Sequence, residues 1–344
     1  MALSDYVHTF GQWLLARHGE RVHKIALDAG FTCPNRDGSK GVGGCTFCNN
    51  ASFSPNEPAP DAAASGSPRF PEPASDAGGP LLLPRKRLPG ALPAQLDSGR
   101  QAIAKRTRAR KFMAYFQAYT NTYAEIDRLR ALYDEALSHG DVVGLSVGTR
   151  PDCVPPAVLD LLAEYRDRGL EVWLELGLQS AFDESLARVN RGHGFREYVQ
   201  TCHAARRMGL PVCAHLIVGL PGEGEWHYRQ TLARVLEEGV EGLKLHPLHV
   251  VRHTQLANQW RRGEYTPLTM DDYIRIAADL IEYTPEEVIY HRVTGTSPRD
   301  VLLAPDWCQH KWIVLNGIEN TLRARGTRQG SRALNLNQDL KNVA

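Results

Sequence analysis

Apolar residues in this chain fall in short, near-continuous runs. Between the runs they recur every three or four positions. Runs at 112–119 (FMAYFQAY), 142–148 (VVGLSVG), 171–178 (EVWLELGL), 211–219 (PVCAHLIVG) and 241–248 (EGLKLHPL) read as strands covered on both faces. The stretches at about 95–109, 123–138, 155–168, 195–208 and 224–238 carry helical periodicity. A shorter run at 22–28 (VHKIALD) supplies a first strand, making six. Strand–helix alternation implies right-handed crossovers and a parallel sheet. The expected fold class is therefore α/β, a partial TIM-like (β/α)6 barrel over residues 22–250. A helix at 270–283, a seventh candidate strand at 287–293 and a helix at 305–324 predict a C-terminal α/β extension over 251–325.

Three segments fall outside this pattern. Residues 1–21 read as an N-terminal amphipathic helix without the basic and apolar blocks of a signal peptide. Residues 52–94 hold ten of the 21 prolines, and their composition predicts a disordered surface insertion. The polar residues 326–344 predict a flexible tail. No apolar run approaches the ~20 residues a membrane helix needs. Net charge is +1, so any case for nucleic acid is local, resting on RQAIAKRTRARK (100–111) and PRKR (84–87). The alternative for those stretches is a solvated helix face.

Chemistry in a parallel barrel gathers at the carboxyl ends of the strands. Six successive strand ends here carry unusual polar or glycine motifs, running from FTCPNRDG and GGCTFCNN after the first strand to KLHPLHV at the sixth. Of seven cysteines, Cys33, Cys45 and Cys48 cluster after the first strand. The odd count argues against a disulfide framework and for a cytoplasmic metal or catalytic site. Cys45-x2-Cys48 lets two thiolates reach one metal or cluster. Structural zinc is the alternative, but it takes four closed ligands, and the nearest histidine, His23, lies on the preceding strand. Three thiolates and one vacant position suit a [4Fe-4S] cluster.

The motifs GFTCPNRDG (30–38), GGCTFCN (43–49), YFQAYTNT (115–122), VGTRPDCVP (147–155), WLELGLQS (173–180), NRGH (190–193), HLIVGLPGE (215–223) and KLHPLH (244–249) together resemble the radical S-adenosylmethionine (SAM) enzymes. The likeness is closest to the YhcC/YtqA-type family, relatives of the Elongator catalytic subunit. The eleven-residue gap between Cys33 and Cys45 departs from the superfamily's commonest spacing of three but occurs in this subgroup.

The resemblance implies that Cys33, Cys45 and Cys48 ligate a [4Fe-4S] cluster whose open iron binds SAM, with flavodoxin or ferredoxin as reductant. It implies Phe47 against the adenine, Tyr119 and Thr120 at the SAM amino group, and Glu175 and Gln179 toward ribose or methionine atoms. Glu175 in an apolar strand also suits a salt bridge. Arg191 would pair with the SAM carboxylate, and Gly219 and Gly222 would let backbone approach the adenine. Lys244, His246 and His249 are substrate-side candidates. Cys153 is a candidate hydrogen-atom donor or a plain buried thiol. Arg150 and Asp152 are expected to pair with each other. Kinship with the Elongator catalytic subunit implies tRNA as substrate, at a wobble-uridine side chain. A small metabolite and a zinc-stabilised binding protein are the competing readings.

Overall fold

The structure, a computed structural model, describes residues 2–49 and 91–341. Most of the expected insertion therefore lies outside the described residues, as does PRKR. Its last residues are not loop: helix α2 (Leu92–Thr107) starts there with Pro93 in its first turn, where the missing N–H costs nothing.

Six parallel strands run in sequence order around the fold: β1 (Val22–Leu27), β2 (Lys111–Phe116), β3 (Val142–Thr149), β4 (Glu171–Gln179), β5 (Val212–Val218) and β6 (Gly242–Pro247). Helices α3 (Ile126–Leu137), α4 (Pro156–Asp167), α5 (Asp183–Arg188), α6 (Phe195–Arg207) and α7 (Glu225–Glu237) occupy the crossovers. Past β6 come the two-residue β7 (Val250–Val251), α8 (Gln255–Arg261), α9 (Met270–Tyr283), β8 (Ile289–Arg292), β9 (Leu302–Ala304), α10 (Lys311–Arg325) and α11 (Leu336–Lys341). The seventh candidate strand is β8. It pairs parallel with β6, so the extension adds a seventh strand to the barrel sheet. β7 and β9 form a separate antiparallel ribbon.

The sheet does not close, and the amino-terminal segment lies across its open side. Thr9 bridges to Tyr290, and Tyr290 N donates to His8 O at 2.8 Å. Helix α1 (Phe10–His18) is shorter than expected because Thr9 caps it, accepting from Gln12 N, and Gly19 ends it in the left-handed region. Its Phe10 and Leu14 bury with Val22, Met113, Trp173, Cys213 and Ile289, plugging the amino end of the barrel.

The carboxyl-terminal segment corrects the expectation of a flexible tail. Leu336 and Leu340, one helical turn apart on α11, are buried. Gln329 Nε2 donates to Pro285 O and Val288 O at 2.7 Å each. Two apolar anchors and a buried amide order a segment whose average composition is polar.

Candidate active site

The cysteine loop is built from local hydrogen bonds. Cys33 O accepts from Arg36 N (2.8 Å) and Asp37 N (3.1 Å), turning the chain back on itself. A bridge between Asp37 and Val42 closes the excursion, so the eleven-residue gap folds as a small hairpin that returns Cys45 toward Cys33. Gly43 and Gly44 sit at φ +85° and +78°, and a Cβ on Gly44 would lie 2.7 Å from Arg36 Nε. Only glycine fits that turn. Cys48 N donates to Cys45 O at 3.0 Å, setting the Cys-x-x-Cys turn. Burial, then the neighbouring Cys45 and Cys33, push the Cys48 thiol up to about 11.

The 190–193 segment braces this loop from the far side. Asn190, itself at φ +52°, donates to Gly44 O at 2.8 Å, and Asn35 returns a bond to Asn190 O at 2.5 Å. Arg191 Nη1 stands 3.6 Å from Cys45 Sγ, and Arg150 Nη1 4.0 Å from Cys33 Sγ. Two buried guanidinium groups thus stand beside the sulfurs, where they would offset the negative charge of a metal–thiolate centre. The three sulfurs do not all lie within 4.8 Å of one another. A single zinc with ~2.3 Å bonds would draw tetrahedral thiolates to about 3.8 Å. The wider triangle suits a larger inorganic core.

The strand ends supply the rest of the rim. Tyr119, at φ +61°, lies beside the Arg36 guanidinium, 5.7 Å from its ring centre. Thr120 is buried, its N donates to Thr32 O at 3.3 Å, and its hydroxyl is unpartnered. A Cβ on Gly177 would meet both Arg191 Nη2 and Gln179 Nε2 at 2.9 Å, so these side chains share one place above β4. Arg191 Nε is also buried without a partner. Phe47 packs against Val189, Ile217, Leu220 and Leu248, the wall that carries the GLPGE turn. In that turn Gly219 and Gly222 take φ +102° and +80°. Arg150 and Asp152 pair as expected, in a two-bond fork at 2.9 Å each. Cys153 is buried and lies against Asp152, lining a flank cavity of about 920 Å³ with Lys40 and Tyr123. Burial pushes its thiol up to about 12.

Glu175 departs from the expected ribose contact. It is fully buried, and its carboxylate accepts from Lys24 Nζ (2.5 Å), His215 Nε2 (2.7 Å), Lys244 Nζ and the Ser146 hydroxyl. Burial alone would raise its pKa, but Lys24 and Lys244 outweigh that and hold it well below the ordinary carboxylate range. The four donors fill the oxygens' acceptor directions. The salt-bridge reading of Glu175 is the one the structure displays. Lys244, expected at the substrate, is the other half of that pair and also donates to the Tyr115 hydroxyl at 2.9 Å. The two lysine contacts to Glu175, and that of Lys244 to Tyr115, join strands that are not neighbours in the sheet, so they cross the barrel interior.

Sequence reasoning missed Asn35, Arg36 and Tyr115. Asn35 and Arg36 fall inside the cysteine gap, where spacing assigns no role, and Tyr115 is hidden in an apolar strand. The basic stretch 100–111 lies away from the cysteine rim. It runs from the end of α2 into the start of β2, at the barrel end opposite the cysteines.

A cysteine triad on a glycine-turned loop, at the carboxyl rim of an open parallel barrel, defines the radical SAM class of enzymes. The sequence profile of the Radical SAM superfamily matches residues 33–235, and that of the Radical SAM C-terminal domain matches residues 240–324. The chain belongs to the radical SAM superfamily, whose members use an iron–sulfur cluster and SAM. Within it, the chain is 47% identical over 331 residues to Protein YhcC of Escherichia coli (strain K12), covering 96% of each. It is 37% identical over 323 residues to YtqA of Bacillus subtilis (strain 168), covering 94% of this chain and 91% of that one. The fold matches a solved structure of the archaeal Elp3 of Methanocaldococcus infernus with TM-score 0.56 at 19% identity, over 69% of this chain and 59% of that one. Among the described residues no helix is long and apolar enough to cross a membrane.

Proposed function

We propose that the cofactor held by Cys33, Cys45 and Cys48 is a [4Fe-4S] cluster, and that the enzyme modifies tRNA at a wobble-uridine side chain. The observation that carries the cluster assignment is the set of three cysteines gathered on one glycine-turned loop, with Arg191 and Arg150 turned toward Cys45 and Cys33. Bound there with SAM, and reduced by a flavodoxin or ferredoxin, such a cluster supplies one-electron cleavage of the sulfonium and a 5′-deoxyadenosyl radical. The protein supplies the rest. Arg191 offers a free Nε and the Thr120 hydroxyl a free donor and acceptor, both buried and suited to the carboxylate and amino group of SAM's methionine part. Phe47 and the Gly219–Gly222 turn form one wall, apolar enough for the adenine. Gln179 lies beside Arg191 for the ribose. Cys153 faces the flank cavity, so donation of a hydrogen atom would need a substrate reaching that side.

Support for RNA comes from the rim and from likeness to the Elongator catalytic subunit, and not from the remote basic stretch. Arg36, Arg188 and Arg252 rise around the cysteine loop with guanidinium groups bonded to backbone carbonyls of Cys48, Pro221 and Asp300. Their charges are fixed in place yet not neutralised there by carboxylates, which suits phosphates. The cluster assignment predicts about four iron and four sulfide per chain after anaerobic reconstitution, with iron lost on Cys33→Ala, Cys45→Ala or Cys48→Ala. Stoichiometric zinc without iron would sink it. The RNA assignment predicts a wobble-uridine derivative that changes when nucleosides of bulk tRNA are compared with and without the gene. An unchanged profile would refute it.

A further inference from the structure

The barrel interior below the cysteine loop is a layered structure with an excess of positive charge. Its lowest layer is the apolar plug of Phe10, Trp173, Met113 and Ile289. The next layer is ionic: Lys24, Tyr115, Ser146, Glu175, His215, Lys244 and His291 come from β1, β2, β3, β4, β5, β6 and β8. Phe10 stacks on His291 at 3.9 Å and lies under the Lys24 ammonium at 4.3 Å, sealing the ionic layer from below. Two residues further up β3 and β4 stand Gly148 and Gly177, and the place a Gly177 side chain would take is held by Arg191 and Gln179, which mark the upper side of the layer.

Charges in this layer do not balance. Lys24 spends its three N–H groups on Ser146 (3.0 Å), Glu175 (2.5 Å) and His291 (3.1 Å). Lys244 spends two, on Glu175 and Tyr115, leaving one. Arg292 ends β8 in register with Lys244, and its side chain is exposed. It makes no side-chain hydrogen bond or ion pair among the described residues, and its charge acts on Tyr115, His215, Lys244, His246 and His249. Burial pushes His215 and His249 down to about 4, and His246 and His291 well below the ordinary range, so the histidines add no charge at neutral pH. Three cations thus face one carboxylate, and that carboxylate's acceptor sites are filled. The buried part of the layer, Lys24 and Lys244 against Glu175, keeps one surplus positive charge, which is costly unless an anion completes it, and the exposed Arg292 adds to that field. A further polar group there is unsatisfied: His249 is buried, and its Nε2 has no partner.

We infer that Lys244 and Arg292 form an oxyanion site in the barrel, open to solvent at Arg292, which anchors a carboxylate or phosphate group of the substrate beneath the cysteine loop. The inference rests on reading the rim as a radical SAM site, but not on the substrate being RNA. An acidic side chain on a modified nucleoside and the acid group of a metabolite present the same oxygens. Arg292 would bind them with its planar fork and Lys244 with its remaining N–H. Glu175 and Lys24 position Lys244 and do not contact the anion.

The test uses malonate and inorganic phosphate as probes on anaerobic, cluster-loaded protein. Binding is followed by calorimetry at an ionic strength held constant with chloride. The wild type should bind at least one probe saturably, and Arg292→Gln should weaken that binding about tenfold or more, as loss of a charge-assisted hydrogen bond does. Arg299→Gln removes the same charge from an exposed neighbouring position and should leave affinity within twofold. Preference for malonate would assign a carboxylate, and preference for phosphate a phosphoryl group. No saturable binding of either probe, equal loss in the two variants, or displacement of the probe by SAM would overturn the inference. An unchanged tRNA profile with Arg292-dependent malonate binding intact would refute the RNA assignment alone.

Discussion

Replacing Glu175 by Gln removes the only carboxylate of the ionic layer while keeping its shape. Two of its oxygens' donors, Lys244 and His215, would then share an amide that can accept at one end only. His215 is neutral and can change tautomer, but Lys244 must lose its proton. Burial has already pushed Lys244 down to about 8 against an ordinary 10.5, with Glu175 opposing the fall. Forcing it neutral at pH 7 therefore adds only about 1.4 kcal/mol to what the wild type already bears. Lys24 keeps Ser146 and His291 but loses its charged partner, at about 1–3 kcal/mol. The summed loss is about 2–4 kcal/mol at pH 7, or roughly 3–6 °C in thermal midpoint for a chain of this size. Its pH dependence follows from protons bound in each state. The unfolded chain holds the Lys244 proton up to about pH 10, whereas the folded variant has released it and the folded wild type keeps it up to about 8. The variant's stability thus rises with pH where the wild type's is flat. The gap closes by about 1.4 kcal/mol per pH unit between pH 6 and 8, and is level above. Midpoints of cluster-loaded protein followed by circular dichroism at pH 6, 7, 8 and 9 measure this. A gap that is flat or widens from pH 6 to 8, or that stays under about 1 kcal/mol at pH 7, would refute the ionic layer as described.

Other perturbations test the loop brace and the carboxyl-terminal anchor. Gly192 sits at φ +73°, and a Cβ there would lie 2.8 Å from Asn35 Oδ1. Gly192→Ala should therefore cost about 1–3 kcal/mol, displace the Asn35 bond to Asn190, and speed iron loss to a chelator. Gly140→Ala, which meets nothing within 4 Å, is the control, and equal iron retention in the two variants would count against the brace. Leu336→Ala with Leu340→Ala should lower the thermal midpoint by several degrees, since each removes a buried leucine worth about 2 kcal/mol or more; an unchanged midpoint would mean that the segment does not pack.

Strand positions were legible because both faces of this sheet are covered, which writes each strand as an apolar run regardless of what packs on it. The cysteine rim was legible for a different reason: the turns that shape it lie within the loop from Cys33 to Cys48, and the remote residues that brace it, Arg150, Asn190 and Arg191, sit in strand-end motifs that stand out one by one. Short elements were not. Helix α5 has six residues and the β7–β9 ribbon two and three per strand, too few to show a period. The tail was misread because composition averages over the two leucines and one glutamine that anchor it. Glu175 shows where local reading stops. An acid inside EVWLELGL demands a partner, and sequence alone cannot tell a ligand from a lysine. The partners it found lie 151, 69, 40 and 29 residues away, at Lys24, Lys244, His215 and Ser146; parallel pairing brings the last two beside it, and the curl of the sheet brings the two lysines across. Yet the trace was present. Lys24, Glu175 and Lys244 are charged residues at mid-strand, Glu175 and Lys244 between leucines and Lys24 between His23 and Ile25. In a curled parallel sheet such positions point inward. Charges placed there on β1, β4 and β6 have only one another, or a bound ligand, to answer them. Two cations and one anion on those strands, with Arg292 added at the end of β8, leave a remainder of positive charge that the fold itself does not cancel.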